Sequence, residues 1–285
     1  MIRKILVPVR GDGMVASVMG HAAALAKRHK AHVVVAHCRA RAEDLMPSGV
    51  SLPSFARKTL LKQAHDLADQ QEHHLRGVLH RLAADFGLTE GDPLLGETAS
   101  CAFIEQNGRM ADVIKHNGRL ADLVVVAKPD RDRNLGTNSL KAGLFSPGRP
   151  VLMCPGQKAA PDVLGARIAI GWNGSLEAAR AVALTTDLMA AADVVTILTS
   201  SGGGEVHGAT TEDLVDYYRL RRIEVNVITF DARNPGAARL NKTAEIGADL
   251  LVMGAYGHSH ERETLFGGNT QTVVDHATIP VLFVH

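Results

Sequence analysis

At 285 residues the chain exceeds one average domain, and two domains of about 140 residues each are the starting expectation. Hydrophobic residues make up 46%, charged residues 21% and aromatic residues only 4%, so an aliphatic core of ordinary globular size is expected. A formal net charge of +1 leaves no electrostatic footprint for nucleic acid, and no apolar run approaches the roughly 18 residues of a spanning helix, so neither a nucleic-acid partner nor membrane insertion is expected.

The chain opens with "RKILVPVRGDGMVASVMGHAAALAKRHKAHVVVAHC" from Arg3: a short β-rich run, a glycine turn, an Ala-rich helical stretch and a second β-rich run. Its N-terminal apolar run is too short for a signal peptide. Residues 54–86 follow, with Leu60, Ala64, Leu67, Gln71, Leu75, Leu79, Leu82 and Phe86 at helical spacing, which predicts one long amphipathic helix or two in series. A ten-residue echo, "QNGRMADVIK" then "HNGRLADLVV", covers 106–125 and reads as helix-ending Asn-Gly turns. "ADLVVVAKPD" from Ala121 and "RPVLMCP" from Arg149 complete the first half. Cys38, Cys101 and Cys154 lie far apart with no CxxC pair, which fits a reducing cytoplasm, and Cys101 and His116 form no recognisable nucleophile pair.

After the Pro/Gly-punctuated linker "PGQKAAPDVLG" (155–165) the pattern repeats. "ARIAIGWNGSLEAARAVALTTDLMAAADVVTILTS" answers the opening stretch, "ADLLVMGAYG" answers "ADLVVVAKPD", and "IPVLFVH" answers "RPVLMCP". Two domains are expected, 1–156 and 165–285. In the second, strands are predicted near 167–172, 193–199, 224–230, 249–254 and 280–284, with helices near 175–191, 210–221, 235–247 and 268–277. Runs such as Leu250-Leu251-Val252-Met253 are apolar without alternation, as in strands covered on both faces. The expectation is α/β: two tandem, doubly wound, parallel five-stranded sheets of strand order 3-2-1-4-5.

Ligands of such sheets sit beyond the carboxyl ends of the strands, where the winding direction reverses. In the second half those ends are "GWNGS" (171–175) and "GAYG" (254–257), with "LFGGN" opening the next helix. Glycines admit close backbone approach, and helix N-terminal amides favour phosphate oxygens. The alternative is a plain turn between strand and helix, since neither a Walker loop nor a strand-borne GxGxxG is present. Trp172 and Tyr256 stand beside the crevice, either to stack on a base or simply to pack. His258 and His260 form an HxH pair, but no further ligand is spaced to complete a zinc set, so no metal is firmly implied.

Gly254-x2-Gly257-x9-Gly267 after a fourth strand resembles the nucleotide loop of universal stress proteins, and "IAIGWNGSLEAARAV", "ADLLVMGAYG" and "HATIPVLFVH" are similar to other segments of that family. The resemblance extends along the chain as a tandem two-domain member. It implies an adenine nucleotide (ATP, ADP or AMP) as ligand. Asn173, Gly174 and Ser175 would lie near adenine and ribose, and Leu198 and Thr199 against the base. Gly254, Gly257, Gly267, Gly268 and Asn269 would surround the phosphates, with Thr270 the nearest hydroxyl. Asn173 stands where many members carry Asp, and Gly268-Asn269 where glycine is usually followed by Ser or Thr. The resemblance also implies pairing of last strands into an intramolecular pseudo-dimer, with dimerisation of whole chains as a further option.

The first half has Ala127 and Asp130 in place of Gly254 and Gly257, and only five residues before Gly136-Thr137 against nine. Asp130 and Asp132 would repel phosphate, so this half reads as a degenerate, structural partner. No catalytic residues are arranged for turnover, and a cytoplasmic stress-response protein that binds and signals is expected. The competing readings are a slow ATPase or nucleotidyl-transfer enzyme, or a binder of another anionic or lipid-like molecule.

Overall fold

The computed structural model describes residues 1–10, 14–39, 53–94, 96–133, 135–156, 160–201, 208–256 and 268–285. In the first half the elements are β1 (Lys4–Val9), α1 (Val15–His29), β2 (His32–Arg39), α2 (Ser54–Asp85), β3 (Thr89–Glu90), β4 (Ser100–Asn107), α3 (Met110–Gly118), β5 (Leu123–Ala127), α4 (Thr137–Phe145) and β6 (Val151–Cys154). In the second they are β7 (Arg167–Trp172), α5 (Leu176–Ala191), β8 (Val194–Ser200), α6 (Thr211–Arg219), β9 (Val225–Phe230), α7 (Pro235–Glu245), β10 (Leu250–Gly254), α8 (Gly268–His276) and β11 (Val281–Val284).

The strands form one sheet of order β3-β4-β2-β1-β5-β6-β11-β10-β7-β8-β9. Each half keeps the expected 3-2-1-4-5 order, and β3 adds a two-residue outer strand to the first. The two five-stranded sheets expected from the sequence are joined into one: β6 and β11 pair antiparallel, with Met153 opposite Val281, Leu152 opposite Leu282 and Val151 opposite Phe283. All four residues of each strand are buried. An unguarded apolar edge strand is a template for further pairing, and here each half satisfies the other's exposed ladder.

Helices α1, α2, α5 and α6 cover one face and α3, α4, α7 and α8 the other. One apolar layer runs through both halves on the first face, from Ile5 and Leu25 to Ile170 and Val284, and Leu164 of the linker is fully buried in it. Residues 54–85 form one continuous helix, but only Leu75, Leu79 and Ala83 are fully buried, so α2 packs by its C-terminal third. The sequence echo is corrected in part. Asn107 ends strand β4 rather than a helix, while Asn117 lies in the last turn of α3 and its side chain bonds that of Gln106 at 2.8 Å.

The first-half loop after β5 has a visible task. Lys128 Nζ donates to the carbonyls of Asp275 and Ala277 at 2.7 and 3.0 Å, at the C-terminal end of α8, where a cation complements the helix dipole. Arg131 pairs with Asp275 at 2.8 Å. Phe145 of α4 meets the rings of Tyr256 and His285 at 5.5 and 4.7 Å. Replacing Lys128 with Met is expected to lower stability by about 1–2 kcal/mol in urea unfolding, because two helix-end carbonyls lose their donor.

Three histidines set the acid limit of the fold. Burial pushes the pKa of His21, His29 and His32 below the usual value; Arg28 adds to this at His29, and Lys4 at His32. A group with a depressed folded pKa binds protons more readily when unfolded, so its contribution is intact above the unfolded value of 6.5 and is lost as pH falls below it. The urea midpoint is therefore expected to fall between pH 7 and pH 5, and an unchanged midpoint would contradict the burial of these rings. Burial also raises the thiol pKa of all three cysteines, and none forms a disulfide.

Candidate functional site

The parallel order brings the C-terminal ends of β7, β8 and β10 to one edge, where α5, α7 and α8 begin. After β7 the chain turns at Gly174, whose φ of +71° is a left-handed conformation that glycine adopts without strain. Ser175 then caps α5, its hydroxyl accepting from Ala178 N at 3.2 Å, while Asn173 is exposed and its Oδ1 accepts from Ser175 N at 3.3 Å. The α5 N-terminus is thus closed by its own cap.

At β10 the chain ends its strand at Gly254 and reaches Tyr256, a non-glycine residue at φ +66°, a conformation that stores strain. Tyr256 N donates to Thr270 Oγ1 at 3.4 Å, so the predicted hydroxyl of Thr270, which is 6% exposed, is turned inward onto backbone. Gly268 and Asn269 open α8 and are exposed; Asn269 Oδ1 accepts from Gly236 N at 3.3 Å, tying the starts of α7 and α8 together. Gly257, Gly267, His258 and His260 lie outside the described residues. Among the described residues no three His, Cys, Asp or Glu side chains gather as a metal set.

Leu198 is fully buried on the α7/α8 face and Thr199 is half-buried. Of the predicted pair, Thr199 is therefore the one with exposed surface at the edge of the crevice. Trp172 is 4% exposed, and its indole Nε1 donates to the Thr210 carbonyl at 3.2 Å, so it packs and bonds locally. Tyr256 is likewise 8% exposed. Both aromatics take the packing role.

Gly254 is needed for a different reason from ligand approach. A Cβ there would fall 2.5 Å from both Ala178 N and Glu177 C, so the end of β10 lies directly against the first turn of α5.

The residue missed in the sequence is Arg239. It lies on the inward face of α7 with Gly236 and Thr243, is 6% exposed, and its side chain lies over Gly171 near the end of β7. A Cβ at Gly171 would meet Arg239 Cδ and Nε at 2.7 Å. Among the described residues Arg239 Nε has no hydrogen-bond partner, and burial pushes the guanidinium pKa down to about 10. Ser200 Oγ, at the end of β8, is also buried without a partner. An arginine in a helix normally reads as a solvated charge; the available signal was its spacing from Gly236 and Thr243 along one stripe.

A sheet of parallel order 3-2-1-4-5 with helices on both faces, three of which begin at its carboxyl edge, defines the doubly wound α/β class. Residues 166–285 match the model described as the universal stress protein family, so the second half carries a domain of that family. The whole chain has the fold of a universal stress protein from Archaeoglobus fulgidus, at 16% identity and a TM-score of 0.72 over 99% of this chain and 95% of that one. A putative universal stress protein from Pseudomonas aeruginosa is similar at 15% identity and a TM-score of 0.57, over 99% and 93% of the two chains. Comparison with curated proteins finds no match. Among the described residues no helix is long and apolar enough to cross a membrane.

Proposed function

We propose that the second half binds an adenine nucleotide at the carboxyl edge of β7, β8 and β10, and that the protein acts in a stress response by binding rather than by turnover. The observation that carries this reading is Arg239, a buried cation beside the end of β7 whose Nε has no hydrogen-bond partner among the described residues. An unpaired buried charge is costly, and a phosphate is the anion that a planar guanidinium and helix N-termini recognise together. The family match over 166–285 supports the same reading. Asn173, Gly174 and Thr199 would face the nucleoside, and Gly268 and Asn269 the phosphates. The halves 1–156 and 165–285 are the two units of an internal pseudo-dimer, in which the first is structural: its Lys128 and Arg131 hold α8 from the far end.

Titration calorimetry of nucleotide-free protein with ATP, ADP and AMP tests this directly. Saturable binding of one nucleotide per chain is expected, with no steady phosphate release under excess ATP. Absence of binding by all three would sink the reading, and sustained phosphate release would move the site to the enzyme class.

A further inference from the structure

The antiparallel pairing of β6 with β11 sets Val151 opposite Phe283, so the start of one strand lies beside the end of the other. Helix α4 ends at Phe145, just before β6, and its last turn therefore reaches the carboxyl edge of the second half. There the Phe145 ring lies 5.5 Å from that of Tyr256, tilted by 44°, and 4.7 Å from the imidazole of His285, edge to face. The arrangement is reciprocal. At the end of α8 the carbonyls of Asp275 and Ala277 hold Lys128, in the turn after β5. The end of each half's last helix thus meets the other half's turn after β5 or β10.

What Phe145 touches is strained. Tyr256 has a φ of +66°, a region that non-glycine residues keep only where their surroundings impose it. Contacts within the second half pin the backbone there. Tyr256 N donates to Thr270 Oγ1 at 3.4 Å, Ala255 N to the Val284 carbonyl at 2.8 Å, and His285 Nδ1 to the Ala255 carbonyl at 3.1 Å. Phe145 adds a contact on the Tyr256 side chain from the first half. Thr270 belongs to the first turn of α8, where Gly268 and Asn269 are exposed at the carboxyl edge. The bond from Tyr256 to Thr270 therefore ties the α8 N-terminus to the end of β10, and the conformation of Tyr256 sets where that N-terminus points. Helix amides favour a phosphate only while they stay aimed at it.

We propose that Phe145 is a positioning residue for the second-half site: through Tyr256 and Thr270 it holds the α8 N-terminus in place for the phosphates of the nucleotide. The first half then tunes the affinity of the second and does more than cover its sheet edge. This inference rests on the nucleotide reading given above.

Phe145→Ala and Phe145→Tyr are compared with the parent chain by calorimetry with ATP, ligand-observed NMR with adenosine, and amide exchange without ligand. The Phe145 side chain is 53% exposed, so its truncation should leave the urea midpoint close to the parent's. Phe145→Ala should bind ATP about tenfold more weakly, the effect of releasing one left-handed residue. Adenosine, which has no phosphate, should keep its affinity within about twofold. Exchange at the Tyr256 amide should rise by about tenfold, with Val252 and Leu282 in the adjoining strands unchanged. Phe145→Tyr keeps the ring and should restore parental ATP affinity and exchange. Unchanged ATP affinity in Phe145→Ala, or an equal loss for adenosine, would overturn the positioning role. A parent chain that binds no ATP overturns the nucleotide reading instead, and unchanged Tyr256 exchange then shows that Phe145 does not hold the turn.

Discussion

Arg239→Met is expected to make the nucleotide-free protein more stable and a poorer nucleotide binder. The two effects have opposite signs because they come from one buried charge with no counter-ion among the described residues. In the free protein, the guanidinium over Gly171 is buried, its Nε has no partner among the described residues, and its pKa is driven down to about 10 by burial. Methionine keeps most of the length and packs the same apolar surroundings without that penalty. The gain should be on the order of 2 kcal/mol in urea unfolding, with the nucleotide removed beforehand. With ATP present, loss of a charge-assisted bond should weaken binding by about tenfold to a hundredfold. Arg239→Lys should fall between the two, since an ammonium keeps the charge but loses the planar fork. Were Arg239→Met to destabilise the free protein and leave ATP affinity unchanged, the arginine would be a packing residue and the argument for an anion would fail.

That prediction rests on a residue the sequence does not advertise, and the reason is general. The strands were legible because a strand covered on both faces is apolar at every position, as in Leu250 to Met253. The helices were legible from their period and their stops, such as Asn234-Pro235 at the start of α7. The union of the halves through β6 and β11 came only from the family resemblance, since "VLMC" and "VLFV" by themselves declare that they are buried but not which strand they pair with. Within the site, glycine turns are visible in sequence while the causes of the glycines are not. Gly174 has a conformational cause and Gly254 a steric one, and only coordinates separate the two. The resemblance placed the strand end at Leu198 and Thr199 against a base, and the side chain of Leu198 lies in the core while Thr199 is half-buried. Arg239 was invisible for the complementary reason: polarity on a helix predicts exposure, and a buried charge is an exception that tertiary structure alone reveals.

Gly254→Ala should be a severely damaging single methyl group in the second half. The added Cβ would stand 2.5 Å from the backbone at Ala178 N and Glu177 C, and 2.8 Å from Glu177 Cβ. Ordinary contact needs roughly 3.5 Å, so α5 would have to retreat by about 1 Å. Neither side yields easily. The strand is held between β7 and β11 in register, and α5 is fixed by the Ser175 cap and by buried Ala178, Ala181 and Val182. A loss of about 2–4 kcal/mol in urea unfolding is expected. The first half supplies the internal control. Ala127 occupies the same place, pairing with Cys154 of β6 as Gly254 pairs with Val284 of β11, and it is accommodated there. Ala127→Gly should therefore change stability by less than about 1 kcal/mol. The pair of variants also separates two reasons for a glycine at a strand end. A glycine kept only to admit a ligand would leave the nucleotide-free protein unchanged when replaced and would affect binding alone. One kept for the approach of a helix loses stability with or without ligand, and that is the outcome expected at Gly254.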